Sequence, residues 1–551
     1  VTALLLVTAL GCALWLGGRD WGRRFSDDPL EQGAIGAGLW LALLPPLLLS
    51  AFAAGLSPRM GAILWLALPA SGVIGLVRKR WAFGRADAWA LGTGAGLFLW
   101  LIALQALQPV YDGAGWANDW FEHYQRALFF LHRYPADFPF IGNYILPDRP
   151  PNFNLLVASV LPLTGEGYPA YQGAATLLNL LPLLPLALLA RRWAPGRAWA
   201  VVAAFPLLPL FVRMSAYPWT RGLAAFFILM GLWCTLRGGY GRGRRDALLA
   251  FLFLGSACLV HYSSLVVFVP AGLHFLRVSC PTREGRGTFL RAVALVLLLV
   301  APWGAYLVAV HGARTGFTNT TTEWVGRHGF LDVHRIVAEN LLNSLVPPVL
   351  YQPVFRGMHD PFHHGTVGFY GNSIPGGLTL AFTLALLAAA WAGRRRVPGD
   401  REAFRFWALV LPLVFYLGFL VVPEVNRFVG VAHTCLYPLL LLGAARAASW
   451  LVTAASAAFR GAALALLAME NLVFHAAFLL DQSALKALEG RPVDNITLIN
   501  LETKARFHAL LLFDLSRPAW PLLAAFAAAG LGAALAFFAW SLLGGRRGTI
   551  C

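Results

Sequence analysis

The sequence is poor in charge, poorer still in acids, and almost without lysine. Charged residues fill 13% of its 551 positions, about half the share usual in a soluble domain. Asp and Glu number 26 against 43 Lys and Arg, a formal net charge of +17. The only lysines are Lys79, Lys486 and Lys504, so the positive charge is nearly all arginine, which suits anionic headgroups or phosphates. On a soluble chain such an excess points to nucleic acid. Here the cations stand between apolar blocks, which points to membrane topology instead, and no nucleic-acid partner is expected. The six cysteines, Cys12, Cys234, Cys258, Cys280, Cys435 and Cys551, have neither zinc-site spacing nor the pattern of a disulfide framework. The absence of a GxxxxGK[ST] loop argues against an ATP-driven pump, and the absence of HExxH against an intramembrane zinc protease. No internal repeat or low-complexity tail is evident.

What is present is apolar length. Hydrophobic residues make up 58% of the chain and the mean hydropathy is +0.64. They come in blocks of roughly 20, the length that crosses a bilayer. We therefore expect an all-α polytopic membrane protein with about fifteen spans. These fall near 1–18, 33–56, 60–77, 86–108, 168–190, 198–213, 220–237, 247–261, 264–277, 291–310, 376–393, 405–422, 428–445, 461–480 and 518–543. The run from Val1 to Leu16 lacks a preceding basic region and reads as a first span, not a cleaved signal. The connecting segments 19–32, 78–86, 191–197, 237–246, 277–291, 394–405, 446–460 and 546–547 alternate so as to share one side, and they hold most of the basic residues. The positive-inside rule places them in the cytoplasm. The N-terminus and the long loops 109–167, 311–375 and 481–517 then fall outside. Three regions follow: an accessory membrane bundle over 1–80, a core over 81–480 with loops 109–167 and 311–375, and an outer loop with a last span over 481–551.

The chemistry concentrates in Tyr111 to Pro151, directly after the span 86–108. Asp112 stands at the junction, and Asp119 follows two helical turns later on the same side if a helix starts near Gly113. That side also carries Glu122, His123, Arg126 and Arg133. The other carries Trp120, Phe121, Tyr124, Leu128 and Leu131. The pattern predicts an amphipathic helix lying in the membrane interface, its acids turned to water or to a cavity. The apolar stretch 150–165 is too short to cross and is expected to lie on, or dip into, the outer face.

The order of these parts resembles the GT-C glycosyltransferases, in particular the branch of family 39 protein mannosyltransferases and lipid A aminoarabinose transferases. A span ends in an acidic residue at the outer surface, an interfacial helix follows, and Arg149-Pro150-Pro151 then heads a short apolar helix. Next come a span entering the cytoplasm at Arg191-Arg192 and a return through the outer turn RMSAYPWTRG. The likeness covers residues 86–240 in motif order and 240–450 in topology. It implies a GT-C-like fold and transfer of a sugar from a polyprenyl-phosphate donor, with the acid after the span acting in catalysis. Here that acid is Asp112. The family often has an Asp-Glu pair at this place, whereas Asp112 is followed by Gly113, so Asp119 or Glu122 would supply the second carboxylate.

Such a reaction needs a carboxylate to take the acceptor's hydroxyl proton and cations to receive the departing phosphate. The base is expected at Asp112, then Asp119 or Glu122. Asp112 also suits a helix cap, and Asp119, Glu122 and His123 suit a solvated helix face. Arg149, stiffened by two prolines, is a candidate phosphate ligand or a snorkelling interfacial cation. Arg213 and Arg221 flank the outer turn, as phosphate ligands or as span anchors. His261 and Tyr262 begin another outer turn and are candidate donors to phosphate or sugar, or members of a structural turn. Arg427 lies near Glu424 and is either a substrate ligand or half of a local ion pair.

His359-Asp360-Pro361-Phe362-His363-His364 invites a metal reading, but Pro361 breaks its helical spacing and no fourth ligand is specified. No metal site is assigned and no cofactor is required, although an acidic pair has the chemistry to hold a divalent cation. Asn319-Thr320-Thr321 and Asn495-Ile496-Thr497 match the glycosylation sequon. The partners expected are a polyprenyl-phosphate-linked sugar, membrane lipids and an unnamed acceptor, in the inner (plasma) membrane with the active site on the extracytoplasmic face. The rival reading is a lipid-linked sugar flippase or another transporter. A transporter usually places ionisable groups at mid-membrane, whereas these gather at one surface.

Overall fold

The computed structural model describes residues 2–57, 59–108, 119–239, 243–317, 330–346, 377–393, 401–421, 436–487, 497–499, 504, 506–508 and 510–543. Among these, ten helices are long and apolar enough to cross a membrane, or eleven if one bent pair counts as a single span. The chain is a multi-pass membrane protein. Every one of the fifteen expected spans meets a helix, but several are shorter than eighteen residues.

The first four helices are α1 (Thr2–Gly22), α2 (Pro29–Ala53), α3 (Arg59–Val77) and α4 (Arg85–Ala106). Asp28 starts α2 by accepting the Glu31 N–H at 2.9 Å, with Pro29 at the first helical position. α1 and α2 touch backbone to backbone. A Cβ on Gly36 would stand 2.0 Å from the Gly18 carbonyl oxygen, so only glycine allows the approach. A buried pair locks α4 to both. Asp87 lies 2.8 Å from the Arg19 guanidinium and accepts the Trp15 indole N–H at 3.0 Å, while Arg19 also donates to Gln32. α1 packs further on α7 (Tyr168–Leu180), and α2 on α12 (Arg244–Val260) and α14 (Arg283–Phe317).

Ion pairs bring three of the basic connecting segments, 19–32, 191–197 and 237–246, to one end of the bundle. Arg191 reaches Asp28 at 2.6 Å, and Arg237 reaches Glu31 at 3.0 Å and Asp246 at 2.9 Å. These contacts tie α2 to α8 (Leu183–Trp193), α11 (Arg221–Arg237) and α12. The opposite end gathers the close of α4, the region 119–167, and the turns after residues 213 and 260.

Two expectations about that end change. α5 (Asp119–His132) does not lie in an interface with its polar side to water. Glu122, His123, Gln125 and Arg126 are as buried as Trp120, Phe121 and Phe129, so the helix is enclosed by protein on both sides. α6 (Asn152–Thr164) has the expected short length, but it runs inside the protein, against α2, α3, α5 and α7, instead of along a membrane surface. Both follow from packing: α5 and α6 bury their faces against each other and against the first three helices.

The expected span 198–213 is a broken pair, Ala198–Leu207 and Pro209–Ala216, bent by 76° at Leu208. Asn471 donates to the freed Leu207 carbonyl at 2.9 Å. The helix expected at 428–445 is described from Leu436 to Thr453, so Arg446 lies inside it and not in a connector; its guanidinium sits over the Trp193 ring at 5.8 Å. Among the described residues the all-helical rule has one small exception, an antiparallel ribbon pairing Thr497–Ile499 with Arg506–His508.

Candidate functional site

Glu122 sits one turn into α5 and is fully buried. Its Oε1 accepts from Arg126 Nε at 2.6 Å, a contact that the i,i+4 spacing on a helix provides. The other arms of Arg126 donate to the carbonyls of Leu146 at 2.9 Å and Ile145 at 2.8 Å. Its guanidinium also lies over the Phe140 ring at 4.4 Å. Burial works against the charge of Arg126, and Glu122 and Asp148 work for it. Asp148 folds the same strap by accepting the Ile145 N–H at 2.7 Å, and Gln125 accepts the Ile141 N–H at 2.8 Å. The strap between α5 and α6 is thus fixed in place, and it carries Arg149. Arg149 Nε stands 3.5 Å from Glu122 Oε2, and its guanidinium covers the Tyr144 ring at 4.6 Å.

His123, the next residue on α5, meets Asn154 at the start of α6 with 3.2 Å between Nδ1 and Oδ1. His261 closes α12 in an extended conformation. Its Nδ1 faces the Ser263 N–H at 3.3 Å and the Ser263 hydroxyl at 2.9 Å, so a ring that accepts there carries its proton on Nε2. Burial, then the charges of Arg221, Arg149 and His123, holds the imidazole well below its usual pKa. It is a neutral donor at neutral pH. Tyr262 links this turn to the strap: its hydroxyl donates to the Pro147 carbonyl at 3.1 Å and accepts the Trp303 N–H at 3.0 Å.

Arg221 opens α11 with its guanidinium over the Trp219 ring at 3.8 Å. Arg213 is buried in α10 (Pro209–Ala216), a turn before Tyr217. The loop between them is held from three sides. Gln105 donates to the Ala216 carbonyl at 2.6 Å, Asn179 to that of Tyr217 at 3.1 Å, and Tyr171 to that of Pro218 at 2.6 Å.

Glu122, His123, Arg149, Arg221 and His261 therefore form one set, with Tyr262 bracing it. Arg213 shares the turn of Arg221. Asp119 is the first residue of α5. Asp112 and Arg427 lie outside the described residues, as do His359 to His364. The sequence reading put Arg126 on the right helix face but gave it no role, and it passed over Asp148 and Gln125. The Glu122–Arg126 spacing signalled the first. Nothing in the sequence signals Trp303, which reaches the site from the middle of an apolar span. Among the described residues no three His, Cys, Asp or Glu side chains gather as a metal site. Arg126, Arg149 and Arg221 bring three guanidinium groups together beside Glu122, Asp148 and the neutral His261 imidazole. Such a wall suits a phosphate.

No protein-family model matches the chain, and no curated protein does. Among solved structures, the chain is similar to ArnT from Cupriavidus metallidurans in the apo state, with a TM-score of 0.47 and 15% identity over 84% of this chain and 78% of that one. Against the same protein bound to undecaprenyl phosphate the TM-score is 0.48, at the same identity and coverage. Against the arabinosyltransferase EmbB from Mycobacterium smegmatis it is 0.41, with 14% identity over 87% of this chain and 44% of that one.

Proposed function

We propose that the chain is an integral membrane glycosyltransferase, moving a sugar from a polyprenyl-phosphate donor to an acceptor on the extracytoplasmic face. The observation that carries this is the convergence of Arg126, Arg149 and Arg221 on Glu122 and His261, at the end of the bundle where the acid-bearing segment after α4 begins. In this reading Asp112 takes the proton of the acceptor hydroxyl, with Asp119 as the second carboxylate. The acceptor oxygen bonds to the anomeric carbon as the bond from that carbon to the phosphate oxygen breaks. The electron pair leaves on the phosphate, where Arg149 and Arg221 receive it. Direct displacement inverts the anomeric centre. Both oxygens of Glu122 face arginines, so Glu122 positions Arg126 and Arg149 instead of acting as base. His123 and His261 are donors to phosphate or sugar. No cofactor is needed, and a divalent cation is compatible with an acidic pair at Asp112 and Asp119.

A flippase reading would lean on the broken helix at Leu208, but Asn471 caps that break with a side-chain hydrogen bond, as a structural bend requires. The test is sugar release from a panel of radiolabelled polyprenyl-phosphate sugars by purified protein, beside Asp112→Asn. Turnover that disappears in a variant of unchanged stability supports the reading. Turnover that survives removes Asp112 as base, and sugar-lipid translocation in proteoliposomes without any transfer would replace the enzyme with a flippase.

A further inference from the structure

At the arginine-rich end of the bundle, α12, α13 (Leu265–Ser279) and α14 enclose an apolar groove of about 270 Å³. Phe251 and Phe268 form part of its wall. Val269 and Leu273 line it from α13, and Phe289, Val293 and Leu297 from α14. It opens sideways: Leu273 is 49% exposed and Leu297 62%. From Phe289 to Leu297 the helix rises about 12 Å, most of the roughly 15 Å depth of one leaflet.

The lining stripes continue into charge. On α14 the positions Leu297, Val293 and Phe289 lead, at helical spacing, to Arg286 and then Arg283. On α13 the stripe Val269–Leu273 leads to Arg277. All three arginines are exposed, and none makes an ion pair among the described residues. Glu284 is the acid that stands beside Arg283 in the sequence. Elsewhere at this end Arg191 and Arg237 are paired with carboxylates. A groove one leaflet deep, walled by phenylalanine and leucine and headed by unpaired arginines, matches one chemistry: an acyl chain joined to an anionic headgroup.

We propose that this groove is a binding site for an anionic phospholipid of the adjoining leaflet, with its phosphate against Arg277, Arg283 and Arg286 and one acyl chain along Leu273, Val293 and Leu297. The site is independent of the catalytic proposal and lies at the other end of the bundle. An attraction of this kind grows with each arginine near the headgroup and weakens with salt.

The full chain, purified in detergent, is titrated with phosphatidylglycerol and with phosphatidylcholine of the same acyl chains, and bound lipids are counted by native mass spectrometry. Wild type is expected to hold phosphatidylglycerol at least about tenfold more tightly, with the preference shrinking as salt rises. The combined variant Arg277→Gln, Arg283→Gln, Arg286→Gln should lose the preference. A Cβ on Gly272 meets nothing within 4 Å, so Gly272→Leu starts its side chain in open space on the groove wall and should weaken both lipids while leaving the charges intact. Arg192→Gln with Arg24→Gln, exposed at the same end but outside the groove, should change little. Equal affinity for the two lipids in wild type overturns the proposal. So does a control pair that loses as much preference as the triple variant, because the charge is then diffuse. If the triple variant does not fold, Gly272→Leu decides, and unchanged binding there overturns the groove.

Discussion

Removing both members of the Glu122–Arg126 pair should cost much less than the sum of removing each alone. The side chains are 0% and 1% exposed, and their atoms stand 2.6 Å apart. Removing one member of a buried pair leaves an uncompensated charge and costs about 3–5 kcal/mol. Glu122→Leu leaves Arg126 with only two carbonyls and the Phe140 ring, and so falls in that range. Arg126→Met leaves Glu122 facing Arg149 alone at 3.5 Å, and the Ile145 and Leu146 carbonyls each lose a partner. In the double variant the first penalty disappears and only the carbonyls remain unsatisfied, at about 1–3 kcal/mol each. The two single costs should therefore exceed the cost of the double by several kcal/mol, at or above the roughly 3 kcal/mol upper end for contacting residues. Unfolding of the four proteins in mixed micelles of increasing denaturing detergent measures it. Additivity within about 0.5 kcal/mol would refute the pair as the anchor of the strap.

The other expectations can be set beside it. Arg149→Lys keeps a charge but loses the fork that meets both Glu122 and a phosphate; kcat/KM for a polyprenyl-phosphate sugar should fall about 10–100-fold, and an unchanged value would remove Arg149 from the donor site. His261 has a folded pKa below its unfolded value of about 6.5, so the unfolded chain binds the extra proton. Its contribution to stability is then complete above about pH 6.5 and is lost as pH falls below that; His261→Gln should flatten the acid limb of the stability profile, and an identical limb would contradict the burial. Gly36→Ala drives a Cβ into the Gly18 carbonyl and should cost at least about 1–3 kcal/mol or abolish folding, as read by expression and gel filtration. Polyprenyl phosphate without a sugar should raise the unfolding midpoint, by about 2.7 kcal/mol at a hundred times its Kd, and should fail to do so in Arg149→Gln.

The spans were legible because a bilayer demands long apolar runs, and the runs show their own length. Their ends were less so. Arg446 reads as a connector in sequence, yet its long side chain reaches Trp193 from within a helix. The site was legible in part for the same local reasons. Arg-Pro-Pro marks a fixed cation, and Glu122 and Arg126 stand four apart. Burial was not legible. The periodicity of α5 is the same whether its polar side meets water or other protein. The groups that decide between them come from far away: Asn154 on α6, the strap carbonyls of Ile145 and Leu146, and Trp303 on α14.

That inversion bears on what the site can hold. A polar helix face turned to water needs no particular partner. The same face enclosed by protein must have each charge matched, or stability is lost. Around α5 the matching is nearly complete for the acids: Glu122 meets two arginines, and Asp148 meets a backbone N–H while supporting the charge of Arg126. Arg221 and Arg149 both bring positive charge to bear on His261, and Arg221 lies over the Trp219 indole ring. The neutral His261 imidazole adds a donor without adding charge. An anion that accepts several hydrogen bonds at once completes such a set, and a phosphate on a lipid can arrive there from the membrane without crossing water.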